Sequence, residues 1–397
     1  MRILLCHAYY QQPGGEDQSF EAEARLLESQ GHEVHRYTQH NASIGQFSGL
    51  AMAAKTLWNR NTHRELTCLI REYHPEVMHC TNTFPIISPS AYYAAQAQGV
   101  AVVQSLRNYR QICPGGLLLR DGVVCEDCLG KWFALPGVRH GCYRGSRIAT
   151  TVVAGMTSMH RLMGTWSRAV NLYFTLTELA KSKFVAAGWP AEKIAVKPNF
   201  IAPDPGIGSG AGGYAVFVGR LSAEKGIATL LAAWQKLDRP IPLKIIGQGP
   251  LDAEVQQFAQ RNPNVECLGQ RSLDEVLEII GSARFLVMPS IWYETFGRTI
   301  IEAFAKGTPV IASRLGAMAE LVEDGVTGLH FTPGDADDLA RKAQGLWEDP
   351  ERSAALRIAA RQEYEQRYTA EPNLSQLLEI YGQAIFLRKH LHRTISR

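Results

Sequence analysis

Two glutamates flank a predicted helix start in the stretch IWYETFGRTIIEAF, which begins at Ile291. Glu294 precedes the helix and Glu302 lies on it, with seven residues between them. A helix that begins near Gly297 would offer free backbone N–H groups and a positive dipole end to a phosphate. The two carboxylates could then accept hydrogen bonds from sugar hydroxyls and from a ribose diol. The alternative is an exposed Glu302 and a Glu294 that only favours the helix start.

A second candidate loop, VGRLSAEKG, follows a predicted strand that ends at Val218. It places Arg220 and Lys225 beside Gly219 at the carboxyl end of that strand. A guanidinium fork and an ammonium point charge together suit a diphosphate. A solvated turn whose charges favour the following helix explains the same residues.

A third loop carries Gly14 and Gly15 between the first predicted strand and the first predicted helix. Because the pattern is not GxGxxG, it argues against a nicotinamide dinucleotide. Two glycines still permit an acceptor or a phosphate to approach the backbone closely. The alternative is an ordinary turn between a strand and a helix.

Four cysteines are spaced as C-x11-C-x2-C-x13-C in a glycine-rich segment: Cys113, Cys125, Cys128 and Cys142. One CxxC with two flanking cysteines can close a tetrahedral structural zinc site. Four thiolates would leave no open position, so a catalytic zinc is not expected there. Redox chemistry or simple burial remain as alternatives.

Predicted strands and helices alternate in both halves of the chain, which indicates two doubly wound parallel sheets. We expect domains at 1–200 and 213–370, a cysteine-rich insertion at 107–147, and a C-terminal helix at 371–397. The Gly/Pro-rich stretch IAPDPGIGSGAGG is the predicted linker. Because ligands bind at the carboxyl ends of parallel strands, the candidate loops are expected to line a cleft shared by the two sheets.

The composition excludes several classes of protein. The 397 residues include 41 basic and 38 acidic ones, a net charge of +3, which argues against nucleic acid as a partner. No window reaches the ~18 apolar residues of a membrane span. The first residues, RILLC, fit a buried strand better than a signal peptide, so we expect a cytoplasmic protein with reduced cysteines.

Three segments together resemble the retaining GT-B glycosyltransferases of family 4: VGRLSAEKG, ETFGRTIIEAFAKGTPVIAS and ELVEDGVTGL. The N-terminal stretches GGEDQSFEAEARLLESQGHEV and NYRQICPGGLLLRDGVVCEDCLG also resemble members of that family, in a subgroup with a cysteine insertion. The resemblance covers nearly the whole chain and is highly specific. It implies two Rossmann-like domains facing a central cleft, of which the first binds the acceptor and the second the nucleotide sugar. It also implies that the last helix, at 371–397, returns to pack on the first domain.

The resemblance implies transfer of a sugar, with retention of configuration, from a UDP- or GDP-sugar to an acceptor hydroxyl. Such a transfer usually needs no divalent metal. The resemblance also implies a carbohydrate or lipid-linked acceptor, in the synthesis of a surface polysaccharide, lipopolysaccharide or glycolipid. Alternatives are a GT-B sugar-nucleotide epimerase or hydrolase, or an inactive subunit that binds nucleotide sugars.

The resemblance also assigns roles to residues. Arg220 and Lys225, in the loop of Gly219, would hold the diphosphate, and Glu302 would bind the ribose. Glu294 and the backbone of the following segment would contact the donor sugar and phosphates; this segment comprises Phe296, Gly297, Arg298 and Thr299. Gly14 and Gly15 would shape the acceptor side.

The chain departs from the family pattern at three positions. Arg107 stands where many relatives carry a histidine, so we expect the arginine to contact phosphate or sugar instead. Thr295 replaces a common glycine, and Arg298 replaces an apolar residue. The basic end of the last helix, with Arg388, Lys389, Arg393 and Arg397, could touch anionic lipid at the inner face of the membrane, although a solvated terminus explains it equally.

Overall fold

The fold comes from a computed structural model that describes residues 1–11 and 14–395, with side chains as far as His390. The chain forms two compact units. Unit 1 comprises Met1–Leu118, Cys125–Pro198 and the C-terminal segment from Asn373, and unit 2 comprises Leu119–Val124 and Asn199–Pro372.

Unit 1 contains a parallel sheet of six strands in the order β2-β1-β3-β4-β7-β8, counted over the described residues. The central strands are apolar and buried on both faces, as expected for a parallel sheet covered by helices. The strands of this sheet are β1 (Arg2–Tyr9), β2 (Glu33–His40), β3 (Val77–Asn82), β4 (Ala101–Leu106), β7 (Leu172–Thr175) and β8 (Ile194–Val196). A separate antiparallel pair, which belongs to unit 2, consists of β5 (Leu119–Arg120) and β6 (Val123–Val124).

The helices of unit 1 begin with side-chain caps where the sequence supplies them. The Asn59 side chain accepts hydrogen bonds from the N–H groups of Asn61 and Thr62 and so fixes the start of α3. The helices are α1 (Gly15–Ser29), α2 (Gly49–Leu57), α3 (Arg60–Tyr73), α4 (Ser90–Ala97), α5 (Leu135–His140), α6 (Arg147–Leu162) and α7 (Glu178–Ala186).

Unit 2 contains a second parallel sheet, with six strands in the order β11-β10-β9-β12-β13-β14 within the described residues. Its strands are β9 (Ala215–Val218), β10 (Leu243–Ile246), β11 (Val265–Gly269), β12 (Phe285–Met288), β13 (Val310–Ser313) and β14 (Gly328–Phe331). Its helices are α8 (Ile227–Gln235), α9 (Asp252–Arg261), α10 (Leu273–Ser282), α11 (Arg298–Ala305), α12 (Gly316–Leu321), α13 (Ala336–Glu348) and α14 (Pro350–Arg367). The two sheets confirm the predicted α/β class.

The last helix, α15 (Ala370–Ile395), contributes its residues from Asn373 onward to unit 1. Tyr381 on this helix is buried, and its Oη lies 2.9 Å from Nδ1 of His79 on β3. Arg388 is half-buried and donates a hydrogen bond to the backbone oxygen of Gln96. Arg397 and the side chain of Arg393 lie outside the described residues.

In the part of the chain that the structure describes, no helix is both long and apolar enough to cross a bilayer.

Candidate functional site

The loop after β9 brings Gly219 and Arg220 to the carboxyl edge of the unit 2 sheet. A Cβ at Gly247, which follows the neighbouring strand β10, would lie only 1.9 Å from the carbonyl oxygen of Gly219. This close approach holds the two loops together. The Arg220 side chain is exposed, and none of the described residues forms a hydrogen bond or ion pair with its guanidinium. Arg220 is therefore available to a ligand.

Lys225 and Glu294 form an ion pair although 69 positions separate them in the sequence. Lys225 Nζ lies 2.5 Å from Glu294 Oε1, and the glutamate side chain is only 6% exposed. Ser290 Oγ also donates to this oxygen, at 2.8 Å. A Cβ at Gly226 would lie 1.8 Å from the backbone oxygen of Pro289, so this glycine permits the loop of Lys225 to pack against the end of β12. The two predicted site loops thus meet at one point.

The helix α11 begins immediately after Gly297, where the sequence predicted a helix start. Gly297 has φ +84°, a left-handed conformation that glycine adopts without strain. A Cβ there would come within 3.0 Å of the Met288 side chain. The first N–H groups of α11 lack partners within the helix, and the positive end of the helix dipole lies with them. The half-buried Thr299 lies in this first turn.

Arg298 and Glu302 form a second ion pair, one turn apart on α11. Arg298 Nε donates to Glu302 Oε1 at 2.9 Å, and the two side chains are 14% and 7% exposed. Arg298, which stands where the family pattern has an apolar residue, therefore supplies a cation that orients Glu302, the residue predicted to bind the ribose. Phe296 is buried, with its ring 6.2 Å from that of Tyr368, and anchors the segment before the helix.

Two residues near these groups are absent from the sequence predictions. Ser290 supports the Glu294 carboxylate, and Gly316 has φ +61° and would place a Cβ 3.1 Å from the backbone nitrogen of Glu294. Both stand within three residues after a strand, β12 and β13 respectively. The position of a small residue directly after a parallel strand is the signal that could have found them.

Gly14 lies at the start of α1, and its N–H donates to Asp17 Oδ2 at 3.0 Å. Its φ of −134° is extended backbone that any residue can adopt, so no tight turn requires glycine here. Among the residues that the structure describes, no heavy atom would lie within 4 Å of a Cβ at Gly14. The role of Gly14 on the acceptor side stays a prediction. Gly15 is the first residue of α1.

Arg107 follows β4 and is buried in a group of charges. Its Nη2 lies 2.8 Å from Glu23 Oε1, and Lys197 Nζ approaches the same oxygen at 2.8 Å. Burial by itself would raise the pKa of the Glu23 carboxyl, but the Arg107 and Lys197 charges lower it to about 2. Arg107 thus forms an ion pair with Glu23. A contact of Arg107 with phosphate or sugar stays a prediction.

His79 faces the same group of charges from β3. Burial lowers the pKa of its imidazole to about 3, and the positive charges of Arg107 and Lys197 act in the same direction, against that of Glu23. The Nε2 atom is buried and has no hydrogen-bond partner among the described residues. The folded protein therefore holds this histidine neutral near neutral pH.

We expect His79 to make folding stability depend on pH. Its pKa is lower in the folded protein than the ordinary value of 6.5, so the stabilisation is complete above pH 6.5 and is lost as the pH falls toward 3. Between pH 7 and pH 5 the loss should be about 2 kcal/mol. In urea unfolding, the free energy of unfolding of His79→Gln should fall by about 2 kcal/mol less between pH 7 and pH 5 than that of the wild type. His140→Gln, at an exposed histidine, should keep the wild-type dependence, and equal slopes for all three proteins would contradict this role.

A polar pocket lies at the carboxyl ends of β3 and β4 in unit 1. It is a small recess of about 30 Å³, lined by hydroxyl, amide and aromatic side chains and by Arg107 and Arg110. Two buried oxygens of its lining, Thr81 Oγ1 and Gln111 Oε1, have no hydrogen-bond partner among the described residues.

The predicted zinc ligands are Cys113, Cys125, Cys128 and Cys142, and all four are half-buried free thiols. Burial raises the pKa of the Cys128 thiol to about 11, and the other three cysteines add to this rise. A tetrahedral zinc site, however, needs its ligand atoms to converge on one point. Across residues 1–11 and 14–395, no group of three or more His, Cys, Asp or Glu side chains could hold a metal ion. The zinc prediction is therefore not supported.

Solved structures with the same architecture are glycosyltransferase folds. Sucrose-phosphate synthase from Thermosynechococcus elongatus matches with a TM-score of 0.72 at 17% identity, over 96% of this chain and 98% of that one. The Anabaena protein Alr3699/HepE in complex with UDP-glucose matches with a TM-score of 0.65 at 20% identity, over 96% and 98%. The protein thus has the two-sheet α/β fold of the GT-B glycosyltransferases. At this level of identity the likeness shows the fold alone.

Residues 210–363 match the family model "Glycosyl transferases group 1", so unit 2 carries a domain of that family. Across 83% of its length, the chain is 26% identical to a GDP-mannose-dependent alpha-mannosyltransferase of Corynebacterium glutamicum, of which it covers 72%. Three other curated relatives are 31–32% identical to the chain, and the chain spans about half of their length or less. The matched region includes every candidate residue of unit 2.

Proposed function

We propose that this protein is a retaining glycosyltransferase of family 4, in a subgroup with a cysteine insertion. It would transfer a sugar from a UDP- or GDP-sugar to the hydroxyl of an acceptor. The observation that carries this proposal is the pair of ion pairs around the start of α11, Lys225 with Glu294 and Arg298 with Glu302. They place two carboxylates and two cations around one helix N-terminus, and Arg220 stands in the same loop as Lys225.

The donor diphosphate would bind between these cations and the free N–H groups of α11. Lys225 and Arg220 would neutralise the phosphates, and the helix dipole would add a positive potential. Glu302, oriented by Arg298, would accept hydrogen bonds from the ribose hydroxyls. Glu294, oriented by Lys225, would accept hydrogen bonds from the hydroxyls of the donor sugar. UDP and UDP-glucose are bound by the structurally similar Anabaena protein, which supports a donor of this class.

The acceptor would bind to unit 1, at the mouth of the polar pocket at the ends of β3 and β4. Hydroxyl and amide side chains can pair with sugar hydroxyls, and aromatic side chains can pack on the faces of sugar rings. We propose a carbohydrate or lipid-linked acceptor, in the synthesis of a surface polysaccharide, lipopolysaccharide or glycolipid.

The acceptor oxygen would attack the anomeric carbon from the face that the diphosphate leaves. The bond from this carbon to the phosphate oxygen breaks as the glycosidic bond forms, and the departing phosphate oxygen takes the acceptor proton. Charge that develops on the diphosphate is stabilised by Arg220, Lys225 and the N–H groups of α11. Retention follows because bond formation and bond breaking use the same face.

The experiment that tests the proposal is a product analysis with a panel of UDP- and GDP-sugars and carbohydrate acceptors. Free nucleoside diphosphate and glycosylated acceptor should appear in equal amounts, and NMR of the product should show the anomeric configuration of the donor. Donor consumption without glycosylated acceptor would instead identify an epimerase or hydrolase. Failure to bind any nucleotide sugar would exclude all of these functions.

We expect the reaction to continue in excess EDTA, because protein cations and helix N–H groups neutralise the leaving diphosphate. The check is an initial-rate measurement of UDP or GDP release before and after removal of divalent ions by EDTA and gel filtration. Loss of activity that added Mg²⁺ restores would contradict the metal-independent mechanism.

A further inference from the structure

One region of unit 1 has a strongly one-sided charge. Residues 128–177 contain six Lys or Arg residues and no Asp or Glu, although the whole chain has 38 acidic residues. This region includes α5 and α6. Among the described residues, the elements that pack most closely against α6 are α2, α5 and the turn at 165–169, and none of them contains an acidic residue. The positive charge of this region is therefore not neutralised by the elements that pack against its central helix.

The outer side of α6 is apolar rather than polar. Residues at positions 148, 152, 155, 159 and 162 fall within one sector about 80° wide at 100° per residue, and the side chains are Ile148, Val152, Gly155, Met159 and Leu162. Ile148 is 82% exposed and Leu162 is 68% exposed, and Val152, Gly155 and Met159 between them are half-buried. The opposite sector is buried in unit 1, so α6 presents apolar surface on both sides. A helix on the surface of a globular unit normally directs polar residues outward.

Aromatic and basic side chains border this stripe. Ser158 on α6 donates to the backbone oxygen of Trp132 at 2.8 Å, and Arg161 Nη1 donates to that of Lys131 at 2.9 Å. These bonds fix Trp132, whose side chain is more than half exposed, beside the end of α6. Leu50 extends the exposed apolar surface on α2, which packs on α6. We call these residues, with Ile148, Leu162 and Arg147, the α6 face.

We propose that the α6 face binds the surface of an anionic lipid bilayer. The apolar stripe would enter the boundary between headgroups and acyl chains, Trp132 would lie at headgroup level, and the basic residues would contact lipid phosphates. The charge selects this occupant, because the six basic residues of 128–177, with no acidic residue among them, complement anionic headgroups and would repel the same face of a second copy. The inference goes beyond the glycosyl transfer proposed above and assigns the membrane contact to α6 rather than to the end of α15.

The test is flotation of the full-length protein with lipid vesicles. The protein should bind vesicles with about 30 mol% phosphatidylglycerol at least about ten-fold more tightly than pure phosphatidylcholine vesicles. Raising NaCl from about 0.1 M to about 0.5 M should weaken this binding. Equal binding to both lipids, or to neither, would overturn the proposal. UDP and GDP binding, measured on the same preparation, tests the proposed donor site separately.

Matched variants locate the contact. Ile148→Glu and Leu162→Glu should each lower binding to the phosphatidylglycerol vesicles at least about ten-fold. Ile358→Glu, at a residue 63% exposed on α14 of unit 2, should bind as the wild type does. Equal binding by all three variants would overturn the proposal. A dimeric wild type with monomeric α6 variants, measured by sedimentation velocity, would also overturn it, because the face would then bind a second copy.

Discussion

Lys225→Ala is expected to lower the turnover of sugar transfer at least ~10-fold, through lost stabilisation of the departing diphosphate. The ammonium lies 2.5 Å from Glu294 Oε1 and its side chain is still 24% exposed, so it can contact the donor while it holds the glutamate. Its removal also leaves the buried Glu294 carboxylate without its cation, so both groups of the site are disturbed. The effect should fall on kcat more than on KM, because the charge on the leaving group develops in the transition state.

The control is Lys236→Ala, which removes an exposed lysine that pairs with Asp337 on the surface of unit 2. It should leave turnover and stability within error of the wild type. Thermal unfolding of Lys225→Ala should be compared with both proteins, so that loss of activity is not confused with loss of folding. Wild-type turnover in a folded Lys225→Ala protein would remove this lysine from the site.

Glu302→Gln should weaken the binding of UDP or GDP by one to two orders of magnitude, because hydrogen bonds to a charged acceptor contribute about 1.5–3 kcal/mol each. The amide keeps the size of the side chain but loses the charge that pairs with Arg298 and that would accept from ribose hydroxyls. Isothermal titration calorimetry with UDP and with GDP measures the change directly.

Arg298→Ala separates the two roles of Glu302. It removes the orienting cation and keeps the carboxylate, so we expect it to weaken nucleotide binding less than Glu302→Gln does. Unchanged affinity in Glu302→Gln would contradict the ribose assignment. A larger loss in Arg298→Ala would indicate that the arginine, rather than the glutamate, contacts the nucleotide.

Much of the fold was predictable from local sequence patterns. Short apolar runs that alternate with amphipathic stretches predicted the α/β class, and the two parallel sheets confirm it. The start of α11 at Gly297 was predictable because glycine adopts the required positive φ and a helix pattern follows it. Residue types in the loops after strands also pointed to Arg220, Lys225 and Glu294, because parallel strands place such loops at one edge of the sheet.

The cysteines show where local patterns were insufficient. Their spacing allows a tetrahedral site, but spacing along a loop does not fix the directions of four side chains. In the structure they influence the pKa of Cys128 without converging on a metal position. The insertion has few regular elements to impose such convergence, since β5, β6 and α5 are all short.

The sequence by itself determined which residue types stand after each strand and where α11 begins, because both depend on neighbours in the chain. Only the tertiary structure decided their partners. Lys225 pairs with Glu294 across 69 positions, and Arg107 pairs with Glu23 across 84. The Lys225 ammonium stays partly exposed at the candidate site, whereas the Arg107 guanidinium is buried. The physical reason is that burial and ion pairing are set by contacts between distant segments, which no local pattern encodes.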